Sequence, residues 1–243
     1  MPADHSLDAA LAAARDLVDR DFPAYSAALL AGSVVRGEAT ATSDLDLILL
    51  TRAGKAPAPF RRSLHHGDWP VEIFAHSPAS FERFTTAEAA RRRPSLAQMC
   101  AEGIVLRDHD GLAAAIQADA RRQLAAGPVP LTPAEIATAR YALTDTLDDF
   151  LGSERPAETF FLAHDLAHDA VDLHLALHRH WTGRGKWVPR ALRRADPARA
   201  DQLAAALAAF TATGDRAPLA AFARAVLDAA GGPLFAGYTG DEP

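Results

Sequence analysis

A strand that is apolar along its length yet opens with two same-facing carboxylates is the feature that most constrains this chain. Residues 44–50 read DLDLILL, and Leu47, Ile48, Leu49 and Leu50 run without alternation of apolar and polar residues, the pattern of a strand buried on both faces. Side chains along a strand point to opposite faces in turn, so Asp44 and Asp46 emerge on one face, about 6 to 7 Å apart at their Cα atoms. Two carboxylates at the mouth of a buried strand are costly unless a cation or a cationic side chain compensates them. A solvated strand edge accounts for one such aspartate but poorly for two, and the pair reads as half of a metal site.

Residues 27–31 (AALLA) predict a second buried strand, ending in Gly32-Ser33, and a turn-rich segment holding Gly37, Thr40, Thr42 and Ser43 leads from it to the DLD strand. A third strand is predicted over residues 69–75 (WPVEIFA), where Glu72 is an acidic residue within an apolar run. Standing alone, Glu72 is an outward-facing strand residue. Beside the DLD strand it completes a three-carboxylate cluster.

Gly32-Ser33, then Arg36-Gly37, then Ser43-Asp44-Leu45-Asp46-Leu47 resembles the signature of the DNA polymerase β-like nucleotidyltransferase superfamily, a GS motif followed by DxD. The VEIF sequence around Glu72 and the TGRGK turn at residues 182–186 resemble segments of streptomycin- and spectinomycin-type aminoglycoside adenylyltransferases. The resemblance implies an α/β fold: a nucleotidyltransferase domain with a mixed β-sheet and flanking helices, followed by an all-α helical bundle. It implies two Mg²⁺ ions held by Asp44, Asp46 and Glu72, with Glu72 a metal ligand or the base that takes the acceptor's proton. ATP is the implied co-substrate, met by Gly32, Ser33, Arg36, Ser43 and Lys186. The expected reaction is transfer of AMP to a hydroxyl of a small molecule with release of pyrophosphate. Nucleotidylation of a protein, or nucleotide binding without catalysis, are the alternatives, and three intact carboxylates argue against the last.

The net charge of −6 argues against nonspecific nucleic-acid binding, which needs a basic surface to neutralise phosphates. No run approaches the roughly 18 apolar residues of a membrane span, and the first residues, MPADHSLDAALAAARDL, are acidic and amphipathic, unlike a secretory signal. A cytoplasmic protein is expected, with a nucleoside triphosphate and a small-molecule acceptor as partners, no nucleic acid, no membrane, and a monomeric or homodimeric state. The single cysteine, Cys100, permits no internal disulfide and reads as a small buried hydrophobe.

Helical spacing of Leu7, Ala10, Leu11, Ala14, Leu17 and Val18 predicts a first helix capped by Ser6. Residues 52–59 read as a loop. Further helices are expected over residues 78–85, 88–93, 95–102 and 111–125, with a short strand over 104–106. The Arg91-Arg92-Arg93 run reads as a solvated helix face. Residues 127–133 (GPVPLTP) break the pattern as a linker, and Thr132, Pro133 and Glu135 form a capping box that opens a new helix. The boundary follows: a catalytic domain over residues 1–127 and a helical, substrate-binding domain over 132–243.

In the first helix beyond the linker, Ile136, Leu143, Leu147 and Phe150 fall on one face and Tyr141, Asp145, Asp148 and Asp149 on the other. In the next, expected over residues 158–181, Leu162, Leu166, Ala170, Leu173 and Leu177 oppose His164, Asp165, His168, Asp169 and Asp172. The histidines have i, i+4 spacing, but without the HExxH glutamate the alternation reads as a polar face rather than a zinc site. Acidic faces of this kind either solvate the helix or receive a cationic ligand, and in the second case Asp145, Asp148, Asp165 and Asp169 would select a polyamine-like acceptor such as an aminoglycoside.

Overall fold

The computed structural model describes residues 6–52 and 54–240. Residues 1–5 of the stretch weighed as a secretory signal, and Ala53 of the expected loop, lie outside the described residues. The chain divides into two compact units, Met1–Ala126 and Gly127–Pro243. The first is α/β, and the described residues of the second form only helices and loops.

In the first unit, α1 (Leu7–Asp21) leads into β1 (Ala27–Ala31), β2 (Leu45–Leu50), β3 (Phe60–His66) and β4 (Trp69–His76). Then follow α2 (Pro78–Ala90), α3 (Ser95–Glu102), β5 (Ile104–Asp108) and α4 (Leu112–Ala126). The five strands form one mixed sheet in the order β3-β4-β2-β1-β5. β2 runs parallel to β4, and the neighbouring pairs β1–β2, β1–β5 and β3–β4 are antiparallel. Alternation along the strands divides the core in two. Ala28, Leu30, Leu47, Leu49, Val71 and Ile73 join the apolar side of α1, while Ala27, Leu29, Ile48 and Leu50 pack with Phe81, Leu96, Ala97 and Ile116 from α2, α3 and α4. With both faces covered, β1 has no polar residue and every one of its side chains is buried.

The first unit departs from the expected elements at β3 and α2. Residues 60–66 (FRRSLHH), which carry no expected element, form β3, paired antiparallel with β4 through a two-residue turn at Gly67-Asp68. β3 is an edge strand with most of its side chains exposed, so it needs little apolar patterning. The two short helices expected over residues 78–93 are one helix, α2. Thr85 sits in it without penalty because its hydroxyl donates back to the Phe81 carbonyl at 2.9 Å. The helix closes through Arg92, whose φ is 57°, as Arg92 N–H bonds the Ala89 carbonyl and Arg93 N–H the Glu88 carbonyl. The arginine run is therefore a helix terminus of Schellman type rather than a helix face.

The second unit is built from α5 (Pro133–Gly152), α6 (Pro156–Leu177), α7 (Trp187–Ala195), α8 (Pro197–Thr213) and α9 (Ala217–Ala229). The capping box at Thr132 and Glu135 is present in both directions. Helix α6 packs against α5, α7 and α9 and buries more of its circumference than one stripe, including His174, Leu175 and Ala176. It stops at Leu177, short of the expected Trp181, because Arg179 takes a φ of 58° and His180 N–H closes onto the Leu175 carbonyl at 2.8 Å. The Arg216 guanidinium donates to the carbonyls of Phe150, Leu151 and Ser153, satisfying the free end of α5.

Buried Gln117 of α4 donates from Nε2 to the carbonyls of Cys100 at 3.0 Å and Gly103 at 2.8 Å, tying the end of α3 to α4. Gln117→Leu keeps the bulk and orphans both carbonyls, so urea denaturation is expected to show a loss of about 1 to 3 kcal/mol.

Candidate metal centre

The end of the sheet where β2 begins is the place where its apolar character fails. β1 terminates at Ala31 opposite Asp46, and β2 and β4 are aligned in parallel so that Asp46 pairs with Glu72. Asp44 stands one residue before β2. By strand parity Asp44, Asp46 and Glu72 share the sheet face that carries Ile48 and Leu50, and deeper along that face α2, α3 and α4 cover those two leucine-like side chains. The three carboxylates are each half-buried and offer oxygen atoms lying within 4.8 Å of one another. Among the described residues this is the one group of three or more His, Cys, Asp or Glu side chains with such geometry.

Gly32 makes the approach feasible. Its φ is +88°, and a Cβ placed there would lie 2.1 Å from Asp46 Oδ2. No side chain other than hydrogen leaves room for that carboxylate, and glycine is also the residue that tolerates the left-handed backbone. The loop that follows is held by its own polar groups. Glu38 N–H bonds the Ser33 carbonyl at 2.9 Å, Ser33 Oγ donates to Ser43 Oγ at 3.0 Å, and Thr40 N–H donates to Ser43 Oγ at 2.8 Å. Ser43 is buried in this staple. Ser33 and Arg36 are partly exposed beside it.

Two arginines balance the acidic charge. The Arg36 side chain, 15% exposed, reaches Glu38 at 3.1 Å and Glu102 at 3.6 Å. Arg61 of β3 places Nη2 2.8 Å from Glu72 Oε1 and 2.7 Å from Oε2, and Ser63 Oγ donates to Oε1 at 3.4 Å. Even so, burial first, then the neighbouring charges of Asp44 and Glu72, push the Asp46 carboxyl up to about 6, against the opposing pull of Arg36 and Arg61. A buried carboxyl crowded by like charges holds its proton more tightly.

Arg61 and Ser63 escaped the sequence reading together with their strand. The available signal was the Gly67-Asp68 pair between two runs able to form strands, a hairpin mark. Glu38 and Glu102, the partners of Arg36, carried no motif at all.

The remaining expected sites, Lys186 and the four aspartates, are in the second unit. Lys186 is exposed at the N-terminus of α7, after a turn in which Gly183 admits Trp187 so closely that a Cβ would lie 2.5 Å from the Trp187 Cβ. Asp145 and Asp148 are exposed on α5. Asp165 and Asp169 lie on α6, where His164 Nδ1 is 3.0 Å from Asp165 and His168 Nδ1 is 3.4 Å from Asp169. Cys100 is buried, and burial raises its thiol to about 12, so it behaves as the small core residue expected.

A folded-state pKa raised from 3.8 to about 6 means that Asp46 favours folding when protonated. That contribution is fully present below pH 3.8 and is lost as pH rises through about 6; the displacement corresponds to about 3 kcal/mol. Asp46→Asn, which is neutral throughout, should therefore stabilise the metal-free protein at pH 8 by about 2 to 3 kcal/mol. The gain should disappear at pH 4, as read by chemical denaturation at the two pH values.

No family model matches the chain, and no curated protein matches it. Among solved structures it is similar to the crystal structure of a nucleotidyltransferase-like protein from Exiguobacterium sibiricum 255-15, with 11% sequence identity and a TM-score of 0.45, over 90% of this chain and 74% of that chain. At that distance the functional reading rests on the chemistry of the site itself.

Proposed function

We propose that the protein is a metal-dependent nucleotidyltransferase that moves AMP from ATP to a hydroxyl of a small molecule. The observation that carries the reading is the register of β2 against β4, which sets Glu72 beside Asp46 and Asp44 with their oxygens within 4.8 Å. A site made only of carboxylate oxygens suits a hard divalent cation such as Mg²⁺ and not a zinc ion, which favours nitrogen and sulfur. The space kept open by Gly32 at Asp46 Oδ2 fits the same use.

Asp44, Asp46 and Glu72 would hold the cations. Bound there, the cations would supply positive charge to offset the charge growing on the phosphates. In the transfer, the acceptor oxygen forms a bond to the α-phosphorus while the bond to the β-phosphate bridge breaks, and pyrophosphate leaves with that electron pair. The acceptor's proton passes to a carboxylate oxygen of Glu72. The backbone at Gly32, the Ser33 and Ser43 hydroxyls and Arg36 are assigned to the triphosphate, where fixed donors in place before reaction lower the barrier. In the helical unit, Lys186 is assigned to the triphosphate as a point charge. Asp145, Asp148, Asp165 and Asp169 are assigned to a cationic, aminoglycoside-like acceptor.

The test is transfer of label from ATP, with Mg²⁺, to a panel of aminoglycosides and neutral polyols. Label is expected to move from the α-position and not from the γ-position. Asp46→Asn is expected to fold and to lose transfer by about 10²-fold or more. Label passing from the γ-position, or undiminished α-transfer by the variant, contradicts the assignment.

A further inference from the structure

Arg61 occupies a position that the reaction alone does not require. β3 pairs with β4 so that Ser63 lies opposite Glu72 and Arg61 opposite Phe74. Residues two apart on a strand share a face, so Arg61 and Ser63 stand on the same side as Glu72 and Phe74. The guanidinium carbon lies 5.0 Å from the centroid of the Phe74 ring, and from that platform a single nitrogen, Nη2, bridges both oxygens of Glu72 at 2.8 and 2.7 Å.

We propose that Arg61 is a built-in counter-cation for Glu72, which an arriving divalent cation must displace, so that Arg61 sets the cation concentration at which the site fills. The inference rests on the three-carboxylate cluster being the metal centre of the proposed reaction.

Three features support displacement over permanent pairing. Both Glu72 oxygens are engaged by Arg61, so a cation cannot take either without competing. The contact uses one nitrogen between two oxygens, not the two parallel bonds of a full arginine fork, and so lacks the most strongly held geometry. The Arg61 side chain is 64% exposed on an edge strand, where an ion pair is weak and the released guanidinium returns to water at little cost. Arg36, by contrast, is 15% exposed and held between Glu38 and Glu102. Of the two arginines it is the fixed charge, and Arg61 is the exchangeable one.

The experiment is a titration of the nucleotide-free protein with Mn²⁺, following free Mn²⁺ by electron paramagnetic resonance. Wild type is compared with Arg61→Gln, Arg62→Gln and Asp46→Asn. Arg62 is the neighbouring charge on the same strand; by alternation it faces the other side of the sheet, and it lies over Phe60, so its removal controls for general electrostatics. Arg61→Gln should tighten Mn²⁺ binding by about 2- to 5-fold, Arg62→Gln should leave it near wild type, and Asp46→Asn should weaken it. Equal or weaker binding by Arg61→Gln overturns the proposal while leaving the metal centre standing, as does an equal gain from Arg62→Gln. Mn²⁺ binding that is indifferent to Asp46→Asn, or absent from every variant, overturns the metal centre and the proposal together.

Discussion

Crowding of negative charge at the end of a buried parallel strand pair is the constraint on which the first unit depends. Asp46 and Glu72 are neighbours because β2 and β4 run side by side in register, and Asp44 adds a third carboxylate to the same face. Such a cluster opposes its own formation, and burial first, then the charges of Asp44 and Glu72, raise the Asp46 carboxyl to about 6. The surrounding sequence supplies what makes it tolerable. Gly32 withholds a side chain, Arg61 bridges Glu72, and Arg36 lends positive charge from a fixed position between two glutamates. Apolar strands anchor the arrangement. Leu47, Ile48, Leu49 and Leu50 are fully buried, and burial at about 25 cal/mol per Å² gives β2 the stability to present an unfavourable terminus.

In the second unit, polar groups at helix ends are given partners by side chains from elsewhere in the fold. Arg216 satisfies the carbonyls at the end of α5. Asp196 accepts the Arg199 N–H at the start of α8 and lies 3.4 Å from the buried His174 imidazole. The carboxylate cluster departs from this pattern: Arg36 and Arg61 offset only part of the charge of its three acidic groups, which is the ground for proposing a divalent cation there. No helix among the described residues is long and apolar enough to cross a membrane.

The parts of the fold legible in sequence were those in which one residue pattern admits one physical solution. Doubly apolar runs marked β1 and β2, proline-rich residues 127–133 marked a break in pattern, and Ser6 and Thr132 cap their helices as their placement predicts. Glu72 was legible as a candidate but not as a neighbour of Asp46, since strand order and register come from packing rather than from either strand alone. β3 was missed because an edge strand needs only one partner and can carry Arg61, Arg62 and His65 toward solvent. Where α2 and α6 ended was hidden for another reason: both close through an arginine, Arg92 or Arg179, in a left-handed conformation usually taken by glycine.

In the proposed reaction Asp44, Asp46 and Glu72 bind divalent cations in company with a triphosphate. The most direct test is a crystal structure of the protein soaked with Mn²⁺ and a non-hydrolysable ATP analogue, with data collected at the manganese absorption edge. Anomalous peaks are expected between the three carboxylates and the phosphate oxygens, with the triphosphate lying against Gly32 and Ser33. A bound triphosphate elsewhere, or one at this loop with no manganese among the carboxylates, would contradict that assignment.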